Sequence, residues 1–487
     1  MEEVLRLENV TQIKNERIKL KNINMHIFKG EIMGLVAINF LGQKELIELL
    51  CKNLPIHYGR IYYNETLVNS YNYSSHRLNR IAVIEKQSRL VEDLSVADNI
   101  FVLRKGFRKY LINRKLLYSQ LRQFTNQLGM QIDGNVLVGN LSALEKNVVE
   151  LLKAIVGGAK LIIIENISSQ LGSKDLLQFQ ELLHYYATRG VSFLYICNHH
   201  EEAFKICDRM SIMENGQILK VFAKSEFTRE NIKPFYISEY NRKKDTMSML
   251  QEQKEILRFE QVHIKCMQGL NLRIIQGECV VIQDISNTVL RDIIDIMSGM
   301  NTSYSGTIYL QQQIYHVTKK QTAVKQGICF VDEYPTESMV FGEMSFMENL
   351  CFLLSEKIGG LGVTNKIRKS VIKEYESAIG DAIYQKNVLM LKRTSLYSMV
   401  YYRIHLYHPK VVFLVQPFSG ADLYERMHII HLIKQLKKKG ITIVILAVNL
   451  SDSLMIADRL IMIEKGRFKD QYTSQEFEQF NQDATIS

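Results

Sequence analysis

Short, wholly apolar runs alternate along this chain with longer stretches of helical period. Glu31–Ala37, Leu161–Ile164 and Val191–Cys197 have the length and composition of buried strands. Gln43–Cys51 and Lys174–Thr188 carry apolar residues at helical spacing between them. The same alternation returns late in the chain as a strand over Val411–Val415, a helix over Leu423–Lys438 and a strand over Ile441–Val448. Strand, crossover helix and strand in succession imply a parallel sheet, because parallel neighbours need a long return connection. The class is therefore α/β.

The pattern also repeats on a larger scale. Leu5-Arg-Leu-Glu-Asn-Val10 is echoed by Leu257-Arg-Phe-Glu-Gln-Val262, and Asn24–Glu31 by Asn271–Glu278. Leu94-Ser-Val-Ala-Asp-Asn99 returns as Met344-Ser-Phe-Met-Glu-Asn349, and Asp208–Gly216 as Asp458–Gly466. Offsets of 247 to 252 positions are far too long for a solenoid unit and indicate two copies of one domain. The polar, basic stretch between them sets the expected boundaries: a first domain over 1–238, a linker over 239–253 and a second domain over 254–487.

Composition narrows the class further. With 487 residues, 46% hydrophobic and 23% charged, the chain has the make-up of a globular protein. No apolar run approaches the roughly 20 residues of a membrane helix. Met1-Glu2-Glu3 lacks the layout of a secretory signal. Seven cysteines without a CxxC spacing speak against a disulfide framework or a zinc site, so a reducing cytosol is expected. A net charge of +10, with basic segments at Arg104–Lys115, Arg242–Lys244 and Lys437–Lys439, suits an anionic surface such as lipid headgroups or nucleic acid.

Candidate chemistry lies where the strand Glu31–Ala37 turns into a helix, through Gly34-Leu-Val-Ala-Ile-Asn-Phe-Leu-Gly-Gln-Lys-Glu-Leu46. Further on come Val138-Gly-Asn-Leu-Ser-Ala-Leu-Glu145, Ala159–Leu171 (AKLIIIENISSQL) and Tyr195-Ile-Cys-Asn-His-His-Glu-Glu202. In order and spacing these resemble the phosphate loop, signature, carboxylate strand and switch-histidine segment of the ATP-binding-cassette (ABC) family. The tandem layout is similar to the fused two-copy ATPase subunit of monosaccharide importers of the ribose, galactose or xylose type. The resemblance implies two tandem nucleotide-binding domains. Each would have a parallel P-loop-like core, an antiparallel β subdomain and a helical subdomain. It also implies ATP and Mg²⁺ as ligands, and sites in which the loop of one copy meets the signature of the other.

Residue by residue, the resemblance is incomplete. In the first loop only Asn39 and Gly42 match the family pattern, Gln43 stands at the lysine position and Lys44 at the Mg²⁺-hydroxyl position. Glu165 stands for the metal-binding Asp and remains a possible Mg²⁺ ligand, Asn166 for the general base, Asn198 for the switch histidine and Lys86 for the glutamine of its loop. His199, next to Asn198, is expected to face the other side of a strand. The signature retains Leu141, Ser142, Leu144 and Glu145. The second copy has Asp284 and Asn287 where glycines belong, Leu290 at the lysine position, Leu391-Lys-Arg-Thr-Ser395 as signature and Val415-Gln416 as the carboxylate pair.

An amide cannot accept a proton at neutral pH, and phosphoryl transfer depends on positioned charge. Weak or absent ATP binding and hydrolysis are therefore expected. The helical-region motif Leu94–Phe101 survives, and in importers it receives the permease. The expected role is thus a docking adaptor or regulator at a membrane permease or sensor, peripheral to the inner face of the cell membrane and near anionic lipid. The alternatives are an active ATP-hydrolysing subunit energising carbohydrate import, and a soluble nucleic-acid or ribosome partner. Nucleic acid is not the expected partner, because the linker is short.

Overall fold

The computed structural model describes residues 2–75, 79–85, 88–101, 119, 132–235, 254–318, 322–358, 363–477 and 480. Lys86, the basic segments 104–115 and 242–244 and the expected linker lie outside them. The chain divides into two compact units, Met1–Ile237 and Ser238–Ser487.

The first unit runs β1 (Glu3–Lys14), β2 (Arg17–Phe28), β3 (Ile32–Ala37), α1 (Gln43–Lys52), β4 (Tyr58–Tyr63), β5 (Thr66–Ser70), β6 (Tyr73–Ser74), β7 (Ile81–Ile84), α2 (Val96–Phe101), α3 (Ala143–Val156), β8 (Leu161–Glu165), α4 (Ser173–Ala187), β9 (Ser192–Cys197), α5 (His200–Ile206), β10 (Arg209–Glu214) and β11 (Gln217–Ala223). An antiparallel sheet has the order β2-β1-β4-β5-β6, and the core sheet the order β11-β10-β3-β9-β8-β7. All core neighbours are parallel except β10 and β11. Every residue of β3 and β9 is buried, as expected of central strands covered on both faces.

The second unit repeats the plan with β12 (Glu255–Ile264), β13 (Met267–Ile275), β14 (Cys279–Asp284), α6 (Leu290–Ser298), β15 (Ser305–Leu310), β16 (Gln313–Ile314), β17 (Ile328–Val331), α7 (Phe346–Cys351), α8 (Asn365–Ile379), α9 (Arg393–Tyr407), β18 (Val411–Val415), α10 (Leu423–Lys438), β19 (Thr442–Ala447), β20 (Arg459–Glu464) and β21 (Arg467–Thr473). Its core order is β17-β18-β19-β14-β20-β21, beside an antiparallel sheet β13-β12-β15-β16.

The repeated sequence blocks fasten the two sheets of each unit. Glu31 accepts from the Phe28 backbone N–H at 2.7 Å and from Arg209 Nε at 2.6 Å. Arg209 also donates to the His26 carbonyl at 2.6 Å. Asp208 accepts from the Ile32 N–H at 2.9 Å. The second unit copies this with Glu278, Arg459 and Asp458, whose carboxylate takes the Cys279 N–H at 2.8 Å. One expectation fails here. The strand β9 stops at Cys197, so Asn198 lies in a bend and His199 caps α5 instead of lying on the far face of a strand.

Glu31 is buried and Arg209 half-buried, and removing one partner leaves the other's charge uncompensated. Arg209→Ala is expected to cost the first unit about 3 kcal/mol, read as a fall in its urea midpoint. Exposed Lys224→Ala is the comparison and is expected to shift it little.

Candidate functional site

In the first unit the loop from β3 to α1 is tied at both ends. Ile38 donates to the Met213 carbonyl at 2.8 Å, and the Asn39 side-chain oxygen accepts from the N–H groups of Leu41 (3.2 Å) and Asn215 (3.1 Å). Gly42 adopts φ +85°, and a Cβ there would lie 2.6 Å from both the Gly216 Cα and the Lys19 carbonyl. Glycine is therefore required by both backbone angle and space. α1 starts at once with Gln43 turned inward, 4% exposed, and Lys44 turned out to solvent. One residue is about 100° of helix rotation, which accounts for the opposite directions.

Gln43 Nε2 donates to Glu165 Oε1 at 3.3 Å, so the loop and the end of β8 meet directly. Burial and the neighbouring Glu85 push the Glu165 carboxyl above its ordinary range, while Gln43, Arg89 and Lys44 oppose the shift. Glu85 is in turn held by Arg89 Nε at 2.9 Å. Asn166 follows in a left-handed conformation, φ +48°, with its N–H on the Ile196 carbonyl at 3.0 Å. Two buried acceptors, Gln43 Oε1 and Asn166 Oδ1, have no hydrogen-bond partner among the described residues. Asn39, Gly42, Gln43, Glu165 and Asn166 are thus gathered around the start of α1 and the end of β8.

The stretch Leu141–Glu145 opens α3. Ser142 Oγ accepts the Glu145 N–H at 3.3 Å, and Glu145 Oε2 accepts the Ser142 N–H at 2.8 Å. This is a capping box, and its S-x-x-E spacing was readable in the sequence. In the second unit the equivalent helix α9 starts after exposed Lys392. Arg393 Nε lies 2.9 Å from Glu425 Oε1, and Arg393 Nη2 donates to the Gly420 carbonyl at 2.9 Å. Glu425 also caps α10 by accepting the Asp422 N–H at 3.2 Å. Burial, then Asp422, raise the Glu425 carboxyl to about 7, against the pull of Arg393. Gln416 mirrors Asn166, with φ +40° and its N–H on the Leu446 carbonyl at 2.8 Å.

Around Leu94–Phe101 one side chain shapes the loop. Asn99 accepts the Val91 N–H at 2.9 Å and donates to the Val91 (3.0 Å) and Ser95 (3.1 Å) carbonyls. Asn349 does the same to Phe341 and Ser345. The recurrence of this Asn at one position in both copies was the available signal. A cavity of about 300 Å³ adjoins Ile100 of α2, with Ile84, Arg89, Glu150, Lys153 and Ala154 also among its walls. Val91 and Leu94 are exposed nearby in sequence, as are Phe341 and Phe352 in the second unit.

Two units of this build, each with a strand-to-helix loop on its central strand, have the fold of ABC-type nucleotide-binding domains. A family model described as "ABC transporter" matches residues 20–168. Over 98% of its length the chain is 24% identical to a ribose import ATP-binding protein, RbsA, of Caldanaerobacter subterraneus subsp. tengcongensis, covering 97% of that protein. It is 22% identical to a xylose import ATP-binding protein, XylG, of Geobacillus kaustophilus, over 97% of this chain and 96% of that one. A solved structure titled RNase-L Inhibitor aligns over 98% of the chain and 93% of its own length, with a TM-score of 0.61 at 14% identity, a likeness of fold alone. The chain thus has a tandem ABC-type fold and is similar in sequence to ribose and xylose import ATP-binding proteins. Both relatives are named as ATP-binding proteins. Among the described residues no helix is long and apolar enough to cross a membrane.

Glu425 supplies a pH test. Below its ordinary value of 4.5 the carboxyl is neutral in folded and unfolded chains alike. Between pH 4.5 and about 7 the unfolded chain ionises first, so Glu425's contribution to the second unit falls as pH rises, while His405, pulled down to about 4 by burial, acts the other way. Glu425→Gln is expected to remove the Glu425 contribution, so that in urea unfolding across this window the variant's stability changes more positively with pH than the native chain's.

Proposed function

We propose that this chain is a docking subunit for a membrane permease or sensor, built on the frame of a sugar-import ATP-binding protein and not itself turning over ATP. The observation that carries the reading is Gln43. A triphosphate at the start of α1 calls for a cation there. Gln43 is neutral, buried and spends its N–H on Glu165. Glu165, the candidate Mg²⁺ ligand, is pushed toward its neutral form by burial and Glu85, which lowers its worth to a metal. Asn166 cannot serve as a base. Gln43 Oε1 and Asn166 Oδ1 are acceptors and offer a phosphate oxygen no donor. The residues therefore do not fit a magnesium triphosphate.

The docking half of the reading rests on what has been kept. Asn99 and Asn349 hold the same loop in both units, and apolar side chains stand exposed beside it. Arg89 links the cavity wall, through Glu85, to Glu165. Partner binding at that wall would then be felt at the loop. The printed names of the relatives, ribose and xylose import proteins, make a carbohydrate permease the first partner to try. Localisation follows as peripheral, at the cytoplasmic face of the membrane.

A second reading, an ATP-hydrolysing subunit that energises sugar import, draws on those names and on Lys44, whose charge acts on Glu165. Proteoliposomes carrying a ribose-import permease separate the two. The docking reading predicts co-sedimentation, weakened about tenfold or more by Leu94→Asp, with magnesium-dependent phosphate release below about 10⁻² s⁻¹. Typical enzymes turn over at 1 s⁻¹ or faster. Release at such rates, abolished by Lys44→Ala, would establish the second reading instead.

A further inference from the structure

The loop of the second unit, between β14 and α6, contains an anion already. Asp284, the last residue of β14, is fully buried. Its Oδ1 accepts the Ser286 N–H at 3.1 Å, and its Oδ2 accepts the N–H groups of Thr288 at 2.5 Å and Val289 at 2.6 Å. Leu290, the first residue of α6, adds a further backbone donor; burial pushes the Asp284 carboxyl above its ordinary range, and these amide donors oppose that shift. These amides lead into a helix N-terminus, where unpaired N–H groups and the helix dipole favour negative charge. In a phosphate loop the corresponding amides surround the ligand's phosphates. Here the carboxylate two to six residues upstream takes them.

The first unit shows what the substitution changes. Its corresponding β3 residue is Ala37, which has no acceptor to offer, and its loop bends at Gly42 with φ +85°. The second unit has Val289 in that place with φ −114°, and the bend moves to Asn287 with φ +49°. The loop still ties to the β20–β21 turn, by the Lys465 N–H on Ser286 Oγ at 3.1 Å, as Asn215 ties to Asn39 in the first unit. The attachment to the frame is preserved while the path of the loop is rebuilt around Asp284. The sequence shows only an acid where a glycine belongs. In the structure the carboxylate turns into its own loop and takes the phosphate's place.

We infer that Asp284 is a built-in anion that fills the phosphate cradle of the second unit and closes it to phosphate ligands. The inference rests on reading residues 284–290 as the counterpart of a phosphate loop, and so deepens the docking reading for that unit. It does not depend on what the first unit does. Removing the carboxylate leaves its amide donors unsatisfied and the loop without its organising centre.

Amide hydrogen exchange of the full chain, read by mass spectrometry on peptides covering 284–290, tests this. The native loop is expected to be protected without any nucleotide, and millimolar inorganic pyrophosphate or Mg-ATP is expected to leave its exchange unchanged. Asp284→Gly should speed exchange of these amides about tenfold or more, the loss of charge-assisted hydrogen bonds. Asp284→Asn keeps the shape and should lie between, which covers the case of a glycine variant that also loosens β14 and β19. Slowing of the native loop by pyrophosphate, or equal exchange in native, Gly and Asn forms, would overturn the inference. ATP turnover confined to the first unit would sink the docking reading and leave this one standing.

Discussion

A carboxylate–guanidinium pair holds the two sheets of each unit in place. Glu31 sits on the turn between β2, in the antiparallel sheet, and β3, at the centre of the core. By bonding Arg209 at the start of β10 it joins both sheets to the strand beside β3. Arg209 reaches on to the His26 carbonyl, and Asp208 takes the first N–H of β3. The position of β3 fixes where its C-terminal end delivers the chain into the loop and α1. The clamp adds to the pairing of β3 with β9 and β10 in placing the loop relative to β8 and β10. The same arrangement, with Glu278, Asp458 and Arg459, positions the loop of the second unit.

On this common frame the two loops solve different problems. In the first, Gly42 allows a close approach to Gly216, and Gln43 settles against Glu165. An amide–carboxylate contact ties the start of α1 to the end of β8. In the second, a carboxylate at the end of the strand organises the helix amides directly. Both loops are thereby held by interactions internal to the protein. Scaffold geometry and phosphate chemistry are separable, because the first depends on residues at the strand starts and the second on residues at the strand ends.

Much of the frame was legible in the residues. Leu423–Lys438 and Val411–Val415 are found with the bounds their periodicity implied, since a long amphipathic helix and a short apolar run are strong local signals. The repeated Gly-Glu and Asp-Arg blocks were visible as repeats, but their partnership as a clamp was not, because Glu31 and Arg209 are 178 positions apart. His199 was misplaced because the strand was carried two residues past the apolar run, which itself ends at Cys197 as β9 does. The likeness in sequence identified the positions of Gln43, Glu165 and Asn166. That Gln43 spends its donor on Glu165 is a tertiary fact without a local signature. Asp284 was legible as an acid at a glycine position, whereas the direction of its side chain depends on loop torsions that the sequence does not display.

The claim at the centre of this account is that the ABC-type frame is intact while the chemistry that engages a triphosphate has been replaced by internal contacts. Calorimetric titration of the purified full chain with Mg-ATP tests it most directly, with a Gln43→Lys, Lys44→Ser double variant run alongside. The account predicts no saturable heat from the native chain up to millimolar nucleotide. Saturable binding in the micromolar range by the native chain would contradict it, and would mean that the loop at Gln43 recognises nucleotide by a route other than the lysine and hydroxyl it lacks.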